Sequence, residues 1–199
     1  KLENETLMRT FPLTLYVGLS LSGLAAAQTQ SWKIDPNHTA AQFSVRHMGI
    51  STVRGAFTKV SGTVSYDPSD PTKTTIEASI DTASVDTRNE MRDKDLRSDK
   101  FFDADKYPTL TFKSKHVESA GSGKLKVTGD LSIHGVTKEV VLDVDGPSAP
   151  VKDQRGTMHV GASASTTINR MDFGVSGAAA MVGNDVPLTL DIELVRPAG

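Results

Sequence analysis

The chain has no cysteine. This excludes disulfides, thiolate zinc sites, iron–sulfur clusters and a cysteine nucleophile. A single tryptophan and an aromatic share of 6% leave too few rings for the two girdles of an outer-membrane barrel. Neither sign of charge prevails. The 22 Lys and Arg against 24 Asp and Glu give a formal net charge of -2, so no basic excess exists to neutralise phosphates, and no nucleic-acid partner is expected. G-x-S-x-G and G-x-x-x-x-G-K-[ST] are also missing, which removes the commonest signatures of a serine hydrolase elbow and a phosphate cradle. What remains is 199 residues, 37% of them hydrophobic, with 16 glycines: ordinary globular composition, long enough for one packed domain.

The first residues differ from the rest. Phe11 to Leu24 is uncharged and apolar, follows Met8-Arg9, and precedes Ala25-Ala26-Ala27. These are the three parts of a secretory signal peptide. At about 14 residues the apolar run is short of the roughly 20 that span a bilayer, so a cleaved leader is preferred to a transmembrane helix. Residues 1–27 are therefore expected to be upstream sequence plus leader, and residues 28–199 a single exported domain.

Beyond the leader the hydrophobic period is two, the pattern of strands with one buried face. Phe43 and Val45 alternate with Ser44 and Arg46; Val60, Gly62, Val64 and Tyr66 with Ser61, Thr63 and Ser65; Ile76, Ala78 and Ile80 with Glu77 and Ser79. Leu110 and Phe112 follow. Leu125, Val127, Gly129, Leu131 and Ile133 form another run, then Val140, Leu142 and Val144, then Met158, Val160, Ala162 and Ala164, and last Val186, Leu188, Leu190, Ile192 and Leu194. That makes eight strands, separated by turn signals such as Asp67-Pro68, Gly121-Ser122-Gly123 and His134-Gly135, the last suited to a two-residue hairpin. Thr87-Arg88-Asn89-Glu90 reads as a capping box opening a mostly charged helix to about Ser98. Eight antiparallel strands with one apolar face and a short capping helix predict an all-β, closed up-and-down barrel, with a two-sheet sandwich as the alternative. The small inward residues Gly62, Ala78, Gly129, Ala162 and Ala164 suggest an interior not fully filled by side chains.

Chemistry-bearing residues are sparse. The histidines His38, His47, His116, His134 and His159 show no metal-ligand spacing, and no metal is expected. His47 shares the parity of Phe43 and Val45 and so points inward. The acidic series Asp93, Asp95, Asp99, Asp103 and Asp105 lacks the order of a calcium loop and is interleaved with Arg92, Lys94, Arg97, Lys100 and Lys106. Arg170 and Asp172, just before a glycine-rich loop (Gly174 to Gly183), read either as an ion pair pinning that loop or as a polar contact at the barrel rim.

Six stretches in order carry a resemblance. They are Ile34-Asp35-Pro36-Asn37-His38-Thr39 with Phe43-Ser44-Val45-Arg46-His47; Val53-Arg54-Gly55-Ala56-Phe57; Ser84-Val85-Asp86-Thr87-Arg88; and Arg92-Asp93-Lys94-Asp95-Leu96-Arg97-Ser98-Asp99-Lys100-Phe101-Phe102-Asp103 with Tyr107-Pro108. Gly129-Asp130-Leu131-Ser132-Ile133-His134-Gly135-Val136-Thr137-Lys138 and Asn169-Arg170-Met171-Asp172-Phe173-Gly174 complete the set. From about Trp32 to Arg196 the chain resembles the YceI-like family of polyisoprenoid-binding proteins, departing from it at Asp95, where a histidine is expected. The resemblance implies an eight-stranded lipocalin-like barrel closed at one end by a helix, exported to the periplasm, with a long isoprenoid chain in an apolar tunnel.

The expected function is thus binding, transport or storage of an isoprenoid quinone or polyprenyl phosphate, with the lipid as ligand and no catalytic cofactor. Exchange with a membrane is expected to be transient, and a homodimer is open. Phe43, Val45, Val64, Ile76, Ile80, Leu110 and Phe112 are expected to line the tunnel with Leu125, Val127, Leu131, Leu142, Val160, Leu188 and Leu190. His47, Arg54, Arg170 and Asp172 are the candidates for its head-group end. The alternatives are an enzyme acting on a lipid or amide held in the barrel, with His47 as base, and an interaction protein whose barrel is simply packed.

Overall fold

The structure is a computed structural model describing residues 30–197; the expected leader lies outside the described residues. Twelve strand segments and one α-helix make up the fold: β1 (Gln30–Ile34), β2 (Ala40–His47), β3 (Ser51–Phe57), β4 (Val60–Tyr66), β5 (Thr75–Asp81), β6 (Val85–Asp86), α1 (Glu90–Arg97), β7 (Thr109–Gly121), β8 (Lys124–Ile133), β9 (Val136–Asp145), β10 (Val151–Lys152), β11 (Thr157–Asn169) and β12 (Asp185–Pro197).

These segments form eight staves. β1 and β2 both pair with β12 and act as one stave broken at Asp35 to Thr39, while β3 and β4 form a second broken at Thr58-Lys59. β5, β7, β8, β9, β11 and β12 follow in chain order, each antiparallel to its neighbour, and β12 returns to β1 and β2. The sheet is a closed up-and-down barrel whose narrowest seam is between β9 and β11, paired only at residues 143–145 against 163–165. β6 and β10 are two-residue additions at its ends.

Because consecutive staves alternate in direction, the links divide between two ends. The turn at residues 48–50, the segment 82–108 with α1, the turn at residues 134–135 and the segment 170–184 share one end, here called the lid end. His134 and Gly135 adopt φ of 52° and 76° between the paired residues Ile133 and Val136, the two left-handed positions of a type I′ turn. At the far end Trp32 is wholly buried in the core cluster that contains Val160, and the Arg196 guanidinium lies 4.8 Å from its ring centroid.

Three sequence expectations change in detail. The strand Ser51–Phe57 lacks clean alternation and was not among the eight runs; it is the first half of the second stave. The helix cap is Asn89, whose side chain accepts from the Arg92 amide, and not Thr87. Thr87 instead gives both its amide and hydroxyl to the buried Asp93 carboxylate. The space beside two inward glycines is also occupied. A Cβ on Gly129 would lie 2.5 Å from the Phe112 ring, and one on Gly62 would meet the Glu77 carbonyl and the Ile34 side chain. These glycines admit close neighbours rather than leaving voids.

Candidate functional site: an apolar channel beneath a lid

Two chambers occupy the barrel. The one at the lid end has about 140 Å³ of space for the centre of a water molecule, and the deeper one has about 170 Å³. Ala41, Ile80, Leu131, Leu188 and Leu190 line both, so the chambers adjoin across these side chains and are together called the channel. Phe43, Val45 and Leu110 stand around the outer chamber, and Val64, Ile76, Phe112, Leu125, Val127 and Leu142 around the inner one. Period two explains this placement, since every residue named has the inward parity of its strand. Val160 is the exception among the expected lining residues: it faces inward but packs in the buried cluster with Trp32 and touches neither chamber.

The lid is held by polar contacts, which accounts for its charged sequence. Arg97 donates to the Ala83 and Val85 carbonyls at 2.7 and 2.8 Å, and Arg92 to the Thr87 hydroxyl and carbonyl. Leu96, Phe101 and Phe102 then face the outer chamber, while Met91 is 83% exposed. The segment 170–184 completes the cover with Phe173, Val175 and Val182. It lies against the lid, since a Cβ on Gly177 would collide with the Lys100 carbonyl and the Phe101 ring.

Arg170 organises that segment. It is 6% exposed, and its guanidinium donates to the carbonyls of Val175, Gly177, Val182 and Gly183 at 2.6 to 2.9 Å. Burial lowers its pKa from the ordinary value, yet a guanidinium stays charged in a protein. The expected ion pair with Asp172 is absent among the described residues: Asp172 is exposed, and backbone carbonyls pin the loop instead. The two residues stand at the start of a short 3-10 turn capped by Asn169, whose side chain accepts from the Met171 amide.

The other two head-group candidates also separate. His47 is half-buried at the end of β2, bridged through its backbone to Val182, and is not in either chamber wall. Arg54 is exposed and stands opposite Ser44 in the β2–β3 ladder, whereas Gly55 stands opposite Phe43. Its parity is therefore outward. Of the four, only Arg170 borders the channel, and its donors are engaged.

The chain matches the YceI-like domain over residues 32–194. It belongs to the YceI-like family. A UPF0312 protein of Vibrio cholerae serotype O1 is 38% identical over 173 residues, covering 86% of this chain and 90% of the relative. The Campylobacter jejuni YceI protein superposes with a TM-score of 0.68 at 35% identity, over 76% of this chain and 89% of that one. A polyisoprenoid binding domain from Saccharophagus degradans superposes with a TM-score of 0.62 at 17% identity, over 83% and 98% of the two chains, which is a likeness of fold. The YceI-like assignment fits a closed barrel with a helical lid.

Several channel residues lay outside the sequence expectation. Phe57, Phe173, Val175 and Val182 border the outer chamber but come from an irregular strand and a loop, where parity gives no direction. Ile34 and Ala41 border the inner one; their signal was the apolar alternation Trp32, Ile34 and Ala41, Phe43, interrupted by the break between β1 and β2.

Proposed function

We propose that this YceI-like protein binds a long isoprenoid chain in the two-chamber channel and carries or stores it without chemical change. One observation carries this reading. The two chambers share a wall and are lined almost wholly by aliphatic and aromatic side chains, while the one cation at their border has its donors on backbone carbonyls. A slender apolar chain gains about 25 cal/mol per Å² of surface taken from water there, and a charged or strongly polar substrate finds no partner inside. The binding activity named for the Saccharophagus degradans domain of the same fold, a polyisoprenoid, supports the ligand class. An isoprenoid quinone or polyprenyl phosphate would leave its head group toward the lid end. His47 stands in neither chamber wall, away from a chain bound in the channel, and this favours binding over turnover there.

The leader-like segment in residues 1–27 supports a periplasmic location. Exchange with a membrane is supported by where the exposed large hydrophobics of the described residues fall: five of the seven, Met48, Ile50, Met91, Met171 and Met181, belong to the lid-end turns, helix and loop, and only Val141 and Val151 lie elsewhere. The test is uptake of a long-chain isoprenoid quinone. Leu131 lines both chambers, and Leu131→Glu is expected to abolish uptake while the circular dichroism of the sheet persists. Unchanged uptake by that folded variant would show that the ligand lies elsewhere.

A further inference from the structure

Outside the channel, the fold gathers histidines that are far apart in the chain. The break between β1 and β2 is seated on β12: the Asp35 amide donates to the Glu193 carbonyl at 2.8 Å, and the Glu193 amide to the Thr39 hydroxyl at 3.2 Å. On the outer wall this brings His38 Nδ1 to 2.7 Å from Asp35 Oδ2 and 3.8 Å from Glu193 Oε1. From the neighbouring β11, His159 Nδ1 reaches the same Glu193 oxygen at 2.7 Å. Glu193 lies opposite Gly161 in that ladder, so no side chain stands between the strands at that point. The ligand atoms of Asp35, His38 and Glu193 all lie within 4.8 Å of one another, and His159 adjoins this group through Glu193.

We propose that Asp35, His38, Glu193 and His159 form a site for a first-row divalent cation of the zinc class. Two imidazoles and two carboxylates are a suitable set for a four-coordinate zinc ion, and imidazole nitrogen selects against calcium and magnesium. Two further observations point the same way. His159 Nε2 is buried without a hydrogen-bond partner among the described residues and stands 3.5 Å from Asp153 Oδ2, the carboxylate placed to hold a metal-bound histidine in the tautomer that frees Nδ1. Asp153 is itself fixed by the amides of Arg155 and Thr157. The charge balance also bears on it. Glu77, Asp130, Asp143 and Asp145 are paired with lysines, whereas among the described residues Asp35, Glu193 and Asp153, like Glu118, pair with histidines alone. Three carboxylates face two imidazoles, so the cluster is negative whichever state the imidazoles hold, and a divalent cation would balance it. The site is separate from the channel, because Glu193 and His159 have outward parity between the inward residues Ile192, Leu194 and Val160.

The test is a competitive titration of the purified protein with Zn²⁺ against a chromogenic chelator at about pH 8, where protons compete least for the imidazoles. One equivalent is expected in the unaltered chain, with a rise in Tm as zinc is added. His38→Ala removes a ligand that is 63% exposed and should leave the fold intact while weakening zinc at least tenfold and removing the Tm rise. Asp153→Asn, which touches His159 and no proposed ligand atom of the others, should weaken it by about tenfold. His116→Ala, at an exposed position on β7, should leave both readouts unchanged. Zinc binding no tighter in the unaltered chain than in His38→Ala, or lost equally in His116→Ala, would overturn the proposal.

Discussion

At the scale of single residues, Arg170 shows how a functional-looking motif can serve structure. Its sequence setting, beside Asp172 and a run of glycines, allowed either a loop pin or a ligand contact, and the choice depended on where the carbonyls of residues 175–183 would lie. No local pattern gives that. Four carbonyls from different directions converge on one planar cation, an arrangement a lysine ammonium cannot reproduce. Arg170→Lys is therefore expected to cost about 2 kcal/mol, the scale of losing hydrogen bonds to a buried charge, measured as a shift of the denaturant midpoint at constant m. A change within error would show that the guanidinium does not hold the loop. Arg54 teaches the complementary lesson: a cation in a family-like stretch was read toward the ligand, and the ladder opposite Ser44 turns it outward.

Single elements differ in how well sequence foretold them. Val60–Tyr66 and Lys124–Ile133 were legible because one face is apolar at every second position, which fixes both strand and register. Ser51–Phe57 was not, since Arg54, Gly55 and Ala56 interrupt any period. Its place comes from pairing with β2 over seven consecutive residues, a tertiary fact. The helix was legible in extent but not in its cap, because Thr87 and Asn89 are both competent N-caps and Thr87 is diverted to Asp93. The link between β4 and β5 offers an electrostatic test. Asp67 accepts from the Ser69 hydroxyl and amide, which hold its carboxyl below the ordinary value of 3.8. A depressed folded-state pKa contributes stability present above the unfolded value and lost as pH falls through the folded one. Asp67→Asn should accordingly lower Tm near neutrality and flatten its fall below pH 3.8. A parallel acid limb in the two proteins would show that Asp67 is not one of the groups driving acid unfolding.

At the scale of the whole molecule, closure of the sheet ties the first staves to the last in a chain without cysteine. It also encloses a channel that parity alone had outlined, while the lid and the segment 170–184, which decide access, had to be seen folded. Exposed apolar side chains at that end predict how ligand leaves. Replacing Met48 and Ile50, both exposed in the turn between β2 and β3, with serine should slow transfer of a bound quinone to phospholipid vesicles several-fold without changing the amount bound, followed by stopped-flow fluorescence. Equal transfer rates would remove this turn from the exchange surface.

The central claim is that the barrel holds a long isoprenoid chain, and native mass spectrometry of the purified protein, followed by solvent extraction and analysis of the lipid, tests it most directly. The expected result is a species heavier than the polypeptide by one isoprenoid lipid, released by solvent and restored by adding a long-chain quinone. A single species at the polypeptide mass, unchanged by added quinone, would contradict it.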